Sequence, residues 1–206
     1  LWITIFRMKA QVSSLQIFDT VPGKARHSAA ANGVYIAAQF IATPLGPLLA
    51  AAVGDAICLI EFSDRRMLEY NYQLMRKHFE MPILSRSNDA LEQLRAELDG
   101  YFRGAQKSFT SALVMRGTPF QERVWHELLR IPYGETISYQ ELARRVGKPH
   151  AVRAAARANG MNRISILVPC HRVVGKDGAL TGYGGGVWRK RLLLDLERHG
   201  KLPGAA

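Results

Sequence analysis

The chain has 206 residues, 48% of them apolar and 22% charged, which is enough to bury one substantial core or two small ones and lies within the range of ordinary globular proteins. Its 2 cysteines, Cys58 and Cys170, are too few for a disulfide framework and sit in unlike surroundings, which favours a reducing compartment and a cytoplasmic location. The net charge of +11 is lopsided: from Arg116 onward there are 16 Lys and Arg against 7 Asp and Glu, and before it 12 against 10. A basic C-terminal half is the electrostatic footprint of polyanion binding, because each phosphate neutralised releases condensed counterions.

No membrane partner is expected. The longest apolar stretch, 47–62, is broken by Gly54 and Asp55 well short of a bilayer span. Residues 1–12 lack the basic start, long apolar core and small-residue cleavage site of a secretion signal. Residues 1–32 have weak periodicity and read as an appendage or linker. Three β-like runs follow, 34–42, 48–53 and 57–62, separated by Thr43-Pro44-Leu45-Gly46 and by Gly54-Asp55 as turns, so an antiparallel meander is expected. Asp64 can cap a helix with Leu68, Tyr72, Met75 and Phe79 on one face. A second helix carries Leu91, Leu94, Leu98 and Phe102 before Gly104, and both helices are expected to cover one side of the sheet. Residues 111–115 could add a strand, and a boundary at 116–118 would divide an α/β domain, 33–115, from a C-terminal domain, 116–206.

The second half reads as mostly helical. Thr118-Pro119-Phe120-Gln121 is a capping box with proline at the first helical position, leading to Val124, Trp125 and Leu128. Ser138-Tyr139-Gln140-Glu141 is a second capping box, opening a helix with Leu142 and Val146. Gly147-Lys148-Pro149 then turns the chain into a helix over 150–159, stopped by Gly160. A short helix, a glycine turn and a basic helix spell a helix-turn-helix. In the second of these helices Ala151, Ala154, Ala155, Ala156 and Ala158 leave Arg153 and Arg157 as nearly the only large side chains. High helix propensity with tight packing accounts for such a run. On a DNA-binding surface the same small residues would suit a minor groove, where binding is largely independent of sequence.

After Asn162, an apolar run at 164–168 is read as a strand leading into Pro169-Cys170-His171-Arg172-Val173. This pentapeptide resembles the active-site signature of the O6-alkylguanine-DNA alkyltransferases. Tyr139, Arg153, Asn162, Tyr183 and Glu197 fall at spacings similar to the family's, densely over 116–199 and more loosely from Val34. The resemblance implies a ribonuclease H-like domain with a small antiparallel sheet and covering helices, followed by the helical domain with its helix-turn-helix. It also implies the reaction: a monomer that transfers a methyl or other alkyl group, once, from O6 of guanine in double-stranded DNA (with O4 of thymine as a further substrate) to Cys170, without a cofactor.

The chemistry fits these residues. Displacing guanine from a saturated carbon calls for a soft nucleophile, and a thiolate is the best a protein has. His171 is a candidate base, although neighbours in an extended segment point to opposite faces, so a bridging water is expected between it and Cys170. The resemblance makes Glu197 the residue that orients His171, and Asn162 the tie between the DNA-binding helices and the segment bearing Cys170. O6 is buried in stacked B-DNA, so the nucleotide must be flipped out. By resemblance Arg153 inserts from the minor-groove side with Ala151 and Ala154 against the DNA, and Tyr139 crowds the phosphate. Tyr183, Gly184 and Val173 then receive the base. Many relatives have Ser at Gly184, which keeps the backbone N–H but removes a hydroxyl.

Competing readings remain at this level. A thiol hydrolase would also use Cys and His but needs an acyl site. A module that recognises alkylated DNA without repairing it would lack the signature cysteine, which is present here. Metal binding is disfavoured, since there is no Cys-x-x-Cys and His27, His78, His126, His150 and His199 form no ligand spacing. Residues 18–26 resemble the closing segment of an AraC-type helix-turn-helix domain, as found ahead of alkyltransferase domains in Ada-like fusions, and so residues 1–32 are read as the remnant of one.

Overall fold

In a computed structural model of the chain, residues 35–203 are described, so the appendage and its resemblance at 18–26 lie outside the described residues. The three foreseen runs form β1 (Ile36–Ile41), β2 (Leu48–Val53) and β3 (Ala56–Phe62), an antiparallel meander. Two short strands pair in parallel on the edges, β4 (Ile83–Ser85) against β1 and β5 (Ala112–Leu113) against β3, giving the order β4-β1-β2-β3-β5. The register shifts between Ala51 and Ala52, so that Cys58 becomes an extra residue and turns to the same side of the sheet as Leu59.

The helices α1 (Leu68–Phe79) and α2 (Asp89–Phe102) do not share a side of the sheet, as had been expected. Leu68, Tyr72 and Met75 of α1 pack with Ile36, Ala38, Leu49 and Ala51, whereas Ala90, Leu91, Leu94 and Leu98 of α2 pack with Ala37, Leu48, Ala50 and Ala52. The cause is the composition of β2, Leu-Leu-Ala-Ala-Ala-Val, which is apolar on both faces and therefore needs a cover on each. Asp64 is not the cap of α1 either. Met67 holds that position without a side-chain bond, and Asp64 instead accepts from both terminal nitrogens of Arg189, at 2.8 and 2.9 Å.

The helical half continues the α2 side of the core. It comprises α3 (Pro119–Leu128), β6 (Ile137–Ser138), α4 (Tyr139–Arg145), α5 (Val152–Gly160), a 3-10 turn (Cys170–Arg172), β7 (Val173–Val174) parallel to β6, and α6 (Val187–His199). The capping box of α3 is complete, with Thr118 and Gln121 each bonding the other's backbone N–H. That of α4 is half formed: Ser138 accepts from the Glu141 N–H, but the Glu141 carboxylate turns to Arg144 and Arg145. Between α4 and α5 the chain reverses at Gly147, whose φ of +74° is the left-handed conformation that favours glycine. Gly160 is the last residue of α5 and not a stop before it. Ala155 and Ala158 are buried, and Trp125 of α3 donates to the Ala158 carbonyl at 2.9 Å, so part of the alanine run serves close packing. Among the described residues, no helix is long and apolar enough to cross a membrane.

Candidate active site

The segment carrying the cysteine is curled, not the expected strand. Only one isolated bridge, Ile164 to Ile60, ties 164–168 to the sheet, and Ile166 has a φ of +74°. Asn162 explains the curl, because its side-chain oxygen accepts from Ile164 N (2.9 Å) and its amide donates to Val168 O (2.8 Å), closing the backbone locally. The same amide nitrogen lies 3.1 Å from Cys170 Sγ. Asn159, at the end of α5, donates to the Cys170 carbonyl at 3.4 Å. Asn162 thus lies between the end of α5 and the thiol. Cys170 is buried, and burial pushes its thiol pKa up, although the Asn162 bond and the nearby Arg65 and Lys190 charges pull it down. A raised pKa means a protonated thiol at rest, so a base has to take its proton when it reacts.

The candidate base is the next residue in the chain. His171 is fully buried and its Nε2 lies 2.8 Å from Glu197 Oε1. A carboxylate only accepts, so Nε2 carries the hydrogen and the lone pair is on Nδ1, which is buried and has no partner among the described residues. Burial lowers the His171 pKa and outweighs Glu197, which leaves the imidazole neutral and able to accept a proton. Burial alone would raise the Glu197 pKa, but the hydrogen bond from His171 and the bonds and charge of Arg172 hold it well below the usual carboxylate range. Arg172 contributes Nε and Nη2 bonds of 2.9 Å each, and Tyr101 OH (2.7 Å) and Gly134 N (3.1 Å) complete the cradle.

Tyr139 and Tyr183 line an outer cleft, and Tyr183 also lines the small cavity at Cys170. The Tyr139 hydroxyl reaches the carbonyls of Thr181 (3.2 Å) and Gly182 (3.3 Å), and the Tyr183 ring stands edge-on to His171 with centroids 6.4 Å apart. Lys190 is fully buried, donating to Val173 O (2.5 Å) and Thr181 O (2.9 Å), with its pKa brought down to about 8 by burial. Val173 is a core residue whose carbonyl is taken up by Lys190, and it lines neither cavity at the site. An outer cleft of about 620 Å³ is lined by Tyr139, Arg153, Tyr183 and Gly184 among others, and a cavity of about 10 Å³ lies against Cys170. The inner cavity has room for about one water. Arg153 is exposed and makes no bond or ion pair among the described residues, Ala154 beside it is exposed, and Ala151 is the half-buried N-cap of α5. Among the described residues there is no group of three or more His, Cys, Asp or Glu that could hold a metal ion.

Family models place this arrangement. One described as 6-O-methylguanine DNA methyltransferase, ribonuclease-like domain, matches residues 36–114, and one described as the DNA binding domain of the same enzyme matches residues 119–199. The chain belongs to the 6-O-methylguanine DNA methyltransferase family. A methylated-DNA-protein-cysteine methyltransferase of Mycobacterium tuberculosis (strain ATCC 25618 / H37Rv) is 49% identical over 158 residues, covering 77% of this chain and 90% of the relative. The inducible enzyme of the same name from Bacillus subtilis is 46% identical over 136 residues, 66% of this chain and 76% of the relative. The crystal structure of Mycobacterium tuberculosis OGT in complex with DNA superposes with a TM-score of 0.70 at 40% identity, covering 82% of this chain and 96% of that one.

Several residues of this methyltransferase site had no sequence signal strong enough to single them out. Arg172 lies inside the quoted pentapeptide yet reads as an ordinary basic residue until Glu197 is placed beside it. Tyr101 reads as one more apolar position of α2, and Lys190 as a solvated helix charge. Glu61, the penultimate residue of β3, is fully buried and paired with Arg65. An acidic residue near the end of an apolar strand, with arginine four residues on, was the available signal.

Proposed function

We propose that this protein repairs double-stranded DNA by direct reversal, accepting the alkyl group of O6-alkylguanine on Cys170 in a single irreversible turnover. The observation that carries this reading is the thiol held by Asn162 next to a neutral histidine whose free nitrogen is buried and whose other nitrogen is fixed by Glu197. A water bridging Cys170 and His171 Nδ1 relays the thiol proton to the imidazole, and Glu197 stabilises the imidazolium. The thiolate forms the S–C bond, the C–O6 bond breaks with its electron pair staying on guanine, Tyr139 gives guanine its hydroxyl proton, and the proton held on His171 is returned to Tyr139 by way of solvent, so that overall one proton passes from thiol to guanine. The thioether has no leaving group, so the acceptor is spent.

The nucleotide must first be flipped out, at a cost of a few kcal/mol of unstacking. Arg153, unpaired on the rim of the cleft, fills the gap, Ala151 and Ala154 allow the backbone to approach, and Tyr183 with the Gly184 N–H receives the base. In this division 116–206 carries the acceptor and DNA surface, 33–115 supports it, and the chain works as a monomer. A thiol that must stay reduced fits a cytoplasmic location.

Intact mass spectrometry before and after mixing with a duplex bearing one O6-methylguanine tests the reading. One methyl should appear on Cys170, none on a Cys170→Ala variant, and repair should plateau at one lesion per protein. Continued turnover, or methyl gain by Cys170→Ala, would refute it.

A further inference from the structure

Beyond drawing the Cys170 pKa down, Arg65 has no part in the reaction as described so far, yet it stands at the acceptor. It follows β3 by three residues, is 9% exposed, and is anchored at both terminal nitrogens: Nη1 to the Glu61 carboxylate and to Asn162 O (3.1 Å), Nη2 to Gly160 O (2.7 Å). Its Nε is buried and has no partner among the described residues. A buried N–H without an acceptor is costly unless some state of the protein supplies one.

The position of that nitrogen says which state. The guanidinium packs directly on Gly184: a Cβ built there would lie 2.3 Å from Arg65 Cζ and 2.5 Å from Nε, so no side chain fits while Arg65 is in place. Arg65, Gly160, Gly182, Tyr183 and Gly184 all line both the outer cleft and the small cavity at Cys170, and so form the partition between them. A purine cannot enter a cavity of about 10 Å³, so the partition has to open. Arg65 is tied to a buried carboxylate and to the carbonyls of Gly160, at the end of α5, and of Asn162, whereas the facing stretch 182–186 is rich in glycine. The loop is therefore the side that yields, and once it does, Nε–H faces the incoming base.

We propose that Arg65 is a base-recognition residue contributed by the sheet domain, its Nε–H donating to the oxygen-bearing edge of the extruded guanine as the alkyl group leaves. This rests on the function proposed above. Bond making and breaking are unchanged: S–C forms, C–O6 breaks, and the electron pair stays on guanine. Arg65 keeps its proton and stabilises the negative charge growing on that edge, where a preorganised donor acts most strongly.

The test uses two variants of the full chain. Arg65→Lys keeps a cation beside Glu61 but has no nitrogen at the Nε position, and Glu61→Gln/Arg65→Met removes both buried charges together. Rates of Cys170 alkylation are measured with free O6-benzylguanine, with the O6-methylguanine duplex, and with iodoacetamide, a small electrophile carrying no base. Both variants should lose about ten- to hundredfold against the two guanine substrates, the range for a hydrogen bond to a charged group, and should react with iodoacetamide nearly as the unmodified protein does. A guanine rate left unchanged in either variant overturns the assignment. So does a parallel fall in the guanine and iodoacetamide rates, which would make Arg65 a support of the thiol or of the fold. If the unmodified chain transfers the methyl group normally, such a result removes Arg65 alone; an unmodified chain that gains no methyl removes the proposed function as well.

Discussion

Replacing Glu197 with glutamine tests the buried cradle that fixes His171. The carboxylate accepts from His171 Nε2, Tyr101 OH and Arg172 Nη2 at Oε1, and from Arg172 Nε and Gly134 N at Oε2. A glutamine must set its own NH2 against one of these groups of donors. The milder orientation still confronts Arg172 Nε and Gly134 N and leaves Arg172, 7% exposed, without a countercharge. Breaking a buried pair by removing one partner costs about 3–5 kcal/mol. At about 2–4 °C per kcal/mol for a chain of this size, Tm should fall by roughly 6–20 °C at pH 7. The pH dependence supplies a second constraint. The folded Glu197 pKa lies below its unfolded value of about 4.3, so its contribution is fully present above that value and is lost as pH falls toward the folded pKa. Thermal denaturation of both proteins across acid pH should therefore show the Tm gap closing below about pH 4.3. A negligible gap at pH 7, or one that stays constant with pH, would refute the account of the cradle.

Because burial lowers the His171 pKa, the rate of alkyl transfer to Cys170 should hold as pH falls from neutrality and drop only below the ordinary imidazole value of about 6.5. A pH-rate profile with free O6-benzylguanine whose acid limb is centred at or above that value would contradict a neutral His171. Arg153→Ala should slow transfer from duplex DNA about tenfold or more, since it stops offsetting part of the unstacking cost. The same variant should leave the free-base rate intact and lower the salt slope of DNA binding by about one unit; equal slowing of both substrates would place Arg153 in the pocket. Gly147→Ala meets open space, so its cost is the left-handed backbone alone, about 1–2 kcal/mol. Its Tm should drop roughly 2–8 °C in calorimetry, and an unchanged Tm would show that the turn between α4 and α5 relaxes freely.

Local chemistry made much of this protein legible before any coordinates. Two turns between apolar runs set the meander, Thr118 and Gln121 set the start of α3, and Gly147 set the reversal of the helix-turn-helix, because each acts over three or four residues of chain. Pro169 to Val173 pointed to Cys170 because the pentapeptide resembles the active-site signature of a known family. The sides taken by α1 and α2 were not readable, since a β2 apolar on both faces gives a helix no direction. The strand expected at 164–168 failed for a related reason: an apolar run shows that a segment is buried, and a single side chain, Asn162, then bends it. Glu197 reaches His171 across 26 residues and Arg65 reaches Gly160 across 95. Contacts at such separation leave no periodicity or spacing in the chain, so packing alone decided which charges surround the thiol.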